Sequence, residues 1–401
     1  MGMASSLHDS PLLERSHALV GRARRVMPAP GLARIDNATR YLEAVLPKYL
    51  ARGRGARVWD VDGNEYLDLS MTSGPAVLGY GHAAVDEAVR RQLERGLPFS
   101  SGNPLEVELA ERLRSWLPAT EMLRFGRTLT DVTTAAARLA CAYTGRDRVL
   151  RLDLSELLDE VDERTACVFV DAATPDTARA GALQELVSAC RRVGCLLILD
   201  ETWTLLRLAR GGAQQHYAVA ADLTCNVHVL ANGFPLSVLA GKAELLRLLD
   251  NDALGASAAG TDPLSLAAAH ATLNELAPID APAILQERGA KLWRELDELL
   301  IQRPLGDARL VGSFERAQLS FDSNLADPLQ QRALVQYELL RQGVLWSGVH
   351  SLSLAHGESE LEYAREAFRC ALDVLVSALR SGDVRGFLSH HGAPSLRKLA
   401  R

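Results

Sequence analysis

The sequence predicts an α/β protein, with a mainly parallel central sheet covered by helices on both faces and joined to a smaller α+β domain. Three observations predict it. The runs ACVFVD (166–171) and CLLILD (195–200) are apolar up to a terminal aspartate, as strands buried on both faces must be. Between them, residues 181–193 carry apolar residues at helical spacing and end at Gly194. After about Pro278 this alternation stops, and a chain of 401 residues is longer than one core usually supports.

The elements follow in order. Residues 1–35 are polar and punctuated by proline and glycine, and read as a flexible arm. Residues 36–104 form an N-terminal segment of the small domain. In it, ARVWDVDGNEYLDL turns at Asp62-Gly63 as a hairpin, and a helix at about 82–96 puts Val85, Val89 and Leu93 on one face. The large domain spans 105–277. It opens with a helix to Leu117, stopped by Pro118, then an alanine-rich helix over 131–144 that ends at Gly145. A short helix, SELLDEVDE, precedes the two buried strands, and DLTCNVHVLANG (222–233) holds a third. Ligands in such sheets sit beyond the carboxyl ends of strands, where Asp171, Asp200 and His228 fall. The small domain resumes over 278–380. It contains a charged helix (283–302), strands in LVGSFERAQLSFD, a helix at 328–342, the strand GVLWS and a last helix at 358–380. Residues 381–401 are a polar tail with no expected structure.

Composition narrows the function. A net charge of -6 provides no basic field for nucleic acid or an anionic membrane surface. No apolar run is long enough to span a bilayer, and MGMASSLHDSPLLERSH lacks the apolar core of a signal peptide, so a cytoplasmic location is expected. The six cysteines form no CxxC pair and no metal-ligand spacing, so they read as reduced, mostly buried thiols, with no metal site. Lysine is scarce: Lys48, Lys242, Lys291 and Lys398 are the four.

Long stretches of the chain resemble one family. RVWDVDGNEYLDL, GPAVLGYGHAAVDEAV, ERGLPFSSGNPLEVELAERL, MLRFGRTLTDVTTAAARLACAYTGRDRVLRLD, GCLLILDETWTLLRLARGGAQQHYAVAADLTCNVHVLANGFPLSVLAGKAEL and GVLWSGVHSLSLAHGESELEYAREAF occur in order over roughly 38–378. They resemble the class III aminotransferases, and among them the glutamate-1-semialdehyde 2,1-aminomutases. The resemblance implies a fold-type I pyridoxal-phosphate (PLP) transferase fold and a homodimer with active sites between subunits.

The resemblance also implies site residues. Asp200 matches the aspartate that pairs with the pyridinium nitrogen, and Glu201 and Arg207 match the residues around it. Thr128 and Thr130 keep two hydroxyls of the family's Ser-Gly-Thr-Glu-Ala phosphate turn at a helix N-terminus. Thr261 matches a threonine that reaches the partner subunit's phosphate, and Ser73-Gly74 falls in a substrate-side loop. Three departures sit at the chemistry. The Schiff-base lysine is replaced by His228, which forms no stable imine. The glycine of the phosphate turn has become Leu129, with Arg127 before it. After Asp153 the chain omits the segment that carries the ring-stacking aromatic. Covalent PLP is therefore not expected. No cofactor at all, or PLP or pyridoxamine phosphate (PMP) held without a covalent bond, stays open. So do three functions: a non-transaminating reaction in the old cleft, in specialised biosynthesis, with His228, Asp200 and Arg127 as candidates; a non-catalytic subunit paired with an active paralogue; and a PMP-dependent enzyme with His228 as base. The partners to match are a small molecule and a second subunit, identical or paralogous.

Overall fold

The computed structural model describes residues 13–28, 42, 45–71, 74–97, 101–151, 160–173, 181–250, 262–314 and 316–390. Ser73, Thr261, most of the short helix expected after Asp153, Lys398 and the end of the tail lie outside the described residues.

The chain divides into two compact units. One is built from residues 1–73 and 288–401, the other from 74–287. The divisions differ from those expected at 104/105 and 277/278, and the packing gives the reason. Asn232 accepts from the Leu78 amide at 2.9 Å and donates to the Gly79 carbonyl at 2.9 Å, so the segment after Gly74 is tied to the larger unit. At the other end, the boundary falls inside one continuous helix, Ala281–Ile301.

In the first unit, helix α1 (Glu14–Ala23) stands where a flexible arm was expected. It is held because the Arg15 and Ser16 amides donate to Asp62 at 2.7 and 3.0 Å, and buried Ser16 accepts from the Lys48 amide. Strands β1 (Leu50–Arg54), β2 (Arg57–Asp60) and β3 (Glu65–Asp68) pair antiparallel. Asp60 closes the hairpin by accepting from Asn64 and the Tyr66 hydroxyl.

The larger unit begins with helices α2 (Ala83–Arg95) and α3 (Pro104–Trp116), then β4 (Met122–Gly126) and α4 (Leu129–Thr144). Next come β5 (Arg148–Leu150), β6 (Thr165–Asp171), α5 (Ala182–Val193), β7 (Leu196–Asp200), the short α6 (Gly212–His216), β8 (Leu223–Val227), β9 (Ser237–Gly241), α7 (Ala243–Leu246) and α8 (Pro263–Leu276). The strands form one sheet in the order β4-β9-β8-β7-β6-β5. Strands β5 to β8 pair in parallel, and β9 alone runs against its neighbours. Alternation decides which helix covers which face. Cys167, Phe169, Ile198, Cys225 and Val227 pack with α4, whereas Val168, Val170, Leu197 and Leu199 pack with α5.

After α9 (Ala281–Ile301), the first unit resumes with β10 (Arg309–Ser313) and β11 (Arg316–Ser320). Helix α10 (Pro328–Arg341) and the short strands β12 (Val344–Leu345) and β13 (Val349–His350) follow, then the long helix α11 (Glu358–Ser381). Strand β12 joins β3 in parallel, and β13 joins β11. The tail was expected to be structureless, yet Val384–His390 forms α12, anchored by buried Val384 and Leu388. No helix among the described residues is long and apolar enough to cross a membrane.

His350 is 1% exposed and lines a small cavity with Leu296, Leu300, Trp346 and Phe368. Neither ring nitrogen has a hydrogen-bond partner among the described residues. Burial, with His356 nearby, pushes its pKa from 6.5 down to about 4. A buried base with a lowered pKa stabilises the fold fully above 6.5, and that contribution is lost as pH falls toward 4. Denaturant unfolding should therefore show stability falling by about 1.4 kcal/mol per pH unit in this window. His350→Leu should flatten that slope, and an unchanged slope would reject the assignment.

Candidate active site

Because β5 to β8 are parallel, their carboxyl ends emerge at one edge of the sheet. β4 runs antiparallel to β9, which itself opposes β8, so β4 ends at the same edge. That edge carries Arg127 to Thr130 after β4, Arg151 after β5, Asp171 on β6, Asp200 on β7 and His228 after β8. The register pairs Asp171 with Asp200 and Asp200 with Cys225, so all three side chains share the face that α4 covers.

Asp200 accepts from the Thr202 amide at 3.0 Å. Burial raises its pKa, and the neighbouring Asp171 carboxylate adds to the rise, while Arg151 opposes it. Arg151 lies with its guanidinium 4.1 Å from the centre of the Phe169 ring. Asp171 stands at the strand end that the sequence indicates, whereas Arg151, which directly follows β5 at this edge, is a residue the sequence analysis does not single out. The strand-end rule that singled out Asp200 was the signal that could have found Arg151.

His228 takes a left-handed backbone conformation at φ 60, uncommon for a residue with a side chain. Its amide continues the β8–β9 ladder by donating to Leu236 at 2.7 Å, and its carbonyl accepts from the Ala231 and Gly233 amides. Its Nδ1 lies 3.1 Å from the Phe234 carbonyl. A carbonyl only accepts, so Nδ1 carries the proton and Nε2 holds the lone pair in the neutral ring. Nε2 makes no hydrogen bond among the described residues. Asn232, also left-handed at φ 49, makes the two bonds to residues 78 and 79 that brace this loop.

The phosphate-turn counterpart is intact as a helix start. Helix α4 begins two residues before the sequence suggested, because Thr128 is its N-cap. The Thr128 hydroxyl accepts from the Asp131 amide at 3.2 Å, and the Asp131 carboxylate accepts from the Arg127 and Thr128 amides at 3.0 and 2.9 Å. The amides of Leu129 and Thr130 make no hydrogen bond among the described residues. Arg127, Thr128, Leu129 and Thr130 are all exposed.

Glu201 and Gly74 both make bonds inside the larger unit. Glu201 is 2% exposed, and its carboxylate accepts from the Ala213 and Gln214 amides at 2.7 and 3.0 Å and from the Thr204 hydroxyl. It holds the start of α6. A side chain at Gly212 would run into the Glu201 carboxylate, and Gly212 has φ +72, so only glycine fits there. The carbonyl of Gly74 is taken by the buried Arg207 guanidinium. Both groups are thus committed to internal bonds.

No lysine of the larger unit stands at this edge among the described residues. Lys242 follows β9 at the opposite end of the sheet, and its ammonium is bonded at 2.5 Å to Asp222, which precedes β8. The described residues of the larger unit thus offer no amine at this edge to hold PLP covalently. Among the described residues there is also no cluster of histidine, cysteine and acidic side chains suited to a metal ion.

The class III aminotransferase family model matches residues 41–153 and 153–356. Two similar curated proteins are glutamate-1-semialdehyde 2,1-aminomutases. That of Desulforamulus reducens is 28% identical over 89% of this chain and 97% of its own length, and one from Thermus thermophilus is 30% identical over 89% and 99%. The first alignment runs over 433 positions, more than the 401 residues of this chain, so the relative carries residues that this chain lacks. Among solved structures, the Sphingopyxis FumI protein in its PLP internal aldimine form superposes with a TM-score of 0.81 at 24% identity, covering 93% of this chain and 99% of that one. A glutamate-1-semialdehyde aminomutase variant from Pseudomonas aeruginosa in complex with PMP gives 0.77 at 20%, covering 90% and 94%. Both show a common fold.

The brace on the His228 loop can be measured. Asn232→Ala removes two hydrogen bonds and puts alanine in a left-handed position, and should cost about 2 kcal/mol in denaturant unfolding. The Leu78, Ala231 and Gly233 amides should then exchange faster in hydrogen exchange. Unchanged protection would show that the loop is held by other contacts.

Proposed function

The chain belongs to the class III aminotransferase family, and within it we propose a member that forms no Schiff base and carries out a reaction other than transamination at the carboxyl edge of its sheet. The observation that carries this reading is the placement of the lysines. The lysine nearest in sequence to the expected position, Lys242, is ion-paired at the opposite edge.

The groups at the edge favour acid–base chemistry on a small molecule. His228 has Nδ1–H fixed on a backbone carbonyl, so Nε2 is the atom that takes a proton. Asp200 has a raised pKa from burial and from Asp171, and a carboxyl shifted in that direction holds a proton more readily and can return it. Two titratable groups with different environments on adjacent strand ends make a base and an acid. The unbonded Leu129 and Thr130 amides, at the positive end of the α4 dipole beside Arg127, favour a substrate with an anionic group. The side chain of Leu129 narrows that approach where the family's turn has glycine. This reading favours a biosynthetic acid–base enzyme over a silent subunit, because the edge keeps its titratable groups.

The test is direct. The purified chain, mixed with PLP and reduced with borohydride, should give no pyridoxyl-lysine peptide in mass spectrometry. His228→Lys restores an amine at the end of β8 and should produce that adduct at residue 228. A pyridoxyl adduct at Lys242, or at any other native lysine, would overturn the reading.

A further inference from the structure

The end of helix α5 carries two cysteines that its cap brings together. The helix stops at Gly194, left-handed at φ 71. The Gly194 and Cys195 amides both turn back onto the carbonyl of Cys190, at 3.1 Å for Cys195. This cap keeps the six-residue backbone bond of a Schellman motif, in which the residue after the left-handed position is brought against the residue five positions before it. That contact is usually between apolar side chains, and here both are thiols. Cys190 and Cys195 are 2% and 4% exposed, side by side in the buried cluster beneath the end of α5. Arg146 lies against the same turn, donating to Val193 at 3.0 Å and to Thr165 at 2.9 Å. The turn's backbone bond keeps the two residues close, as the roughly 5.5–6 Å Cα separation of a disulfide requires.

We propose that Cys190 and Cys195 form a reactive dithiol, a modification site that hydrogen peroxide closes to an intrachain disulfide. The order of attack follows from the surroundings. The neighbouring Cys190 thiol lowers the Cys195 pKa and the Arg146 charge adds to this, against burial and Asp222. Cys190 is pushed the other way, first by the Cys195 sulfur and then by burial. Cys195 is therefore the attacking thiolate and Cys190 the resolving thiol. The Cys195 thiolate attacks one peroxide oxygen, the O–O bond breaks, hydroxide leaves, and a sulfenic acid remains. The Cys190 sulfur then attacks the sulfenic sulfur; the S–S bond forms, the S–O bond breaks, and the hydroxyl leaves with the thiol proton as water. Two thiols are oxidised, and one peroxide is reduced to two waters. Burial selects the oxidant. A molecule near the size of water reaches the pair when the last helical turn frays, whereas a bulky disulfide needs wider opening.

The test uses the whole reduced chain. After peroxide treatment and blocking of remaining thiols, trypsin cuts at Arg191 and Arg192, between the two cysteines. A disulfide then appears as a crosslinked peptide pair that a dithiol reductant separates. Oxidised glutathione at the same concentration should form it about tenfold more slowly or less. Cys190→Ser should leave a sulfenic acid at Cys195, trappable by dimedone. The proposal is overturned if peroxide oxidises the more accessible Cys141 or Cys370 while 190 and 195 stay free, or if Cys190→Ser yields no sulfenic acid at Cys195. Closure by glutathione disulfide as fast as by peroxide would overturn the assigned oxidant. None of these outcomes depends on what reaction the sheet edge carries out.

Discussion

Strands β6, β7 and β8 hydrogen-bond in parallel and are covered by helices on both faces, so their carboxyl ends must emerge at one edge. That pairing sets Asp171 beside Asp200 and Asp200 beside Cys225. A slip of one residue in β7 would turn Asp200 to the α5 face and put Leu199 in its place. The electrostatics of the edge follow from this register. Burial and the Asp171 carboxylate on the neighbouring strand raise the pKa of Asp200, and Arg151, lying on the Phe169 ring, opposes the rise.

The loop after β8 depends on a different constraint. Two residues in it, His228 and Asn232, adopt left-handed conformations that branched side chains avoid. The β8–β9 ladder holds the first, and bonds to Leu78 and Gly79 hold the second. With Nδ1 committed to Phe234, ring orientation and tautomer are fixed by the backbone before any ligand arrives. Such preorganisation is what an acid–base group needs to act without first being ordered.

Much of the larger unit was legible in the sequence because its signals are local. The apolar runs ending at Asp171 and Asp200 gave the strands, and glycines after α4 and α5 gave the helix ends. Contacts between distant segments were not legible. Helix α1 is fixed by Asp62, 47 residues from Arg15, and no periodicity in a polar arm announces that bond. Helix α4 starts earlier than the alanine-rich run alone indicates, and the signal is the reciprocal-cap spacing of Thr128 and Asp131. At the candidate site, Asp200 and His228 stand at strand ends as the spacing suggested. The carboxylate of Glu201 was out of reach of sequence reasoning, since the amides that it holds lie twelve and thirteen residues further on.

The cap at the start of α4 has a consequence for how this chain can change over generations. Thr128 and Asp131 tie the helix to its own first turn, so substitutions there cost stability whether or not anything binds. Selection for folding alone therefore preserves the geometry of this turn. A lineage can drop one ligand and later acquire another anionic one without rebuilding the turn, since the scaffold of the site is inherited as part of the fold.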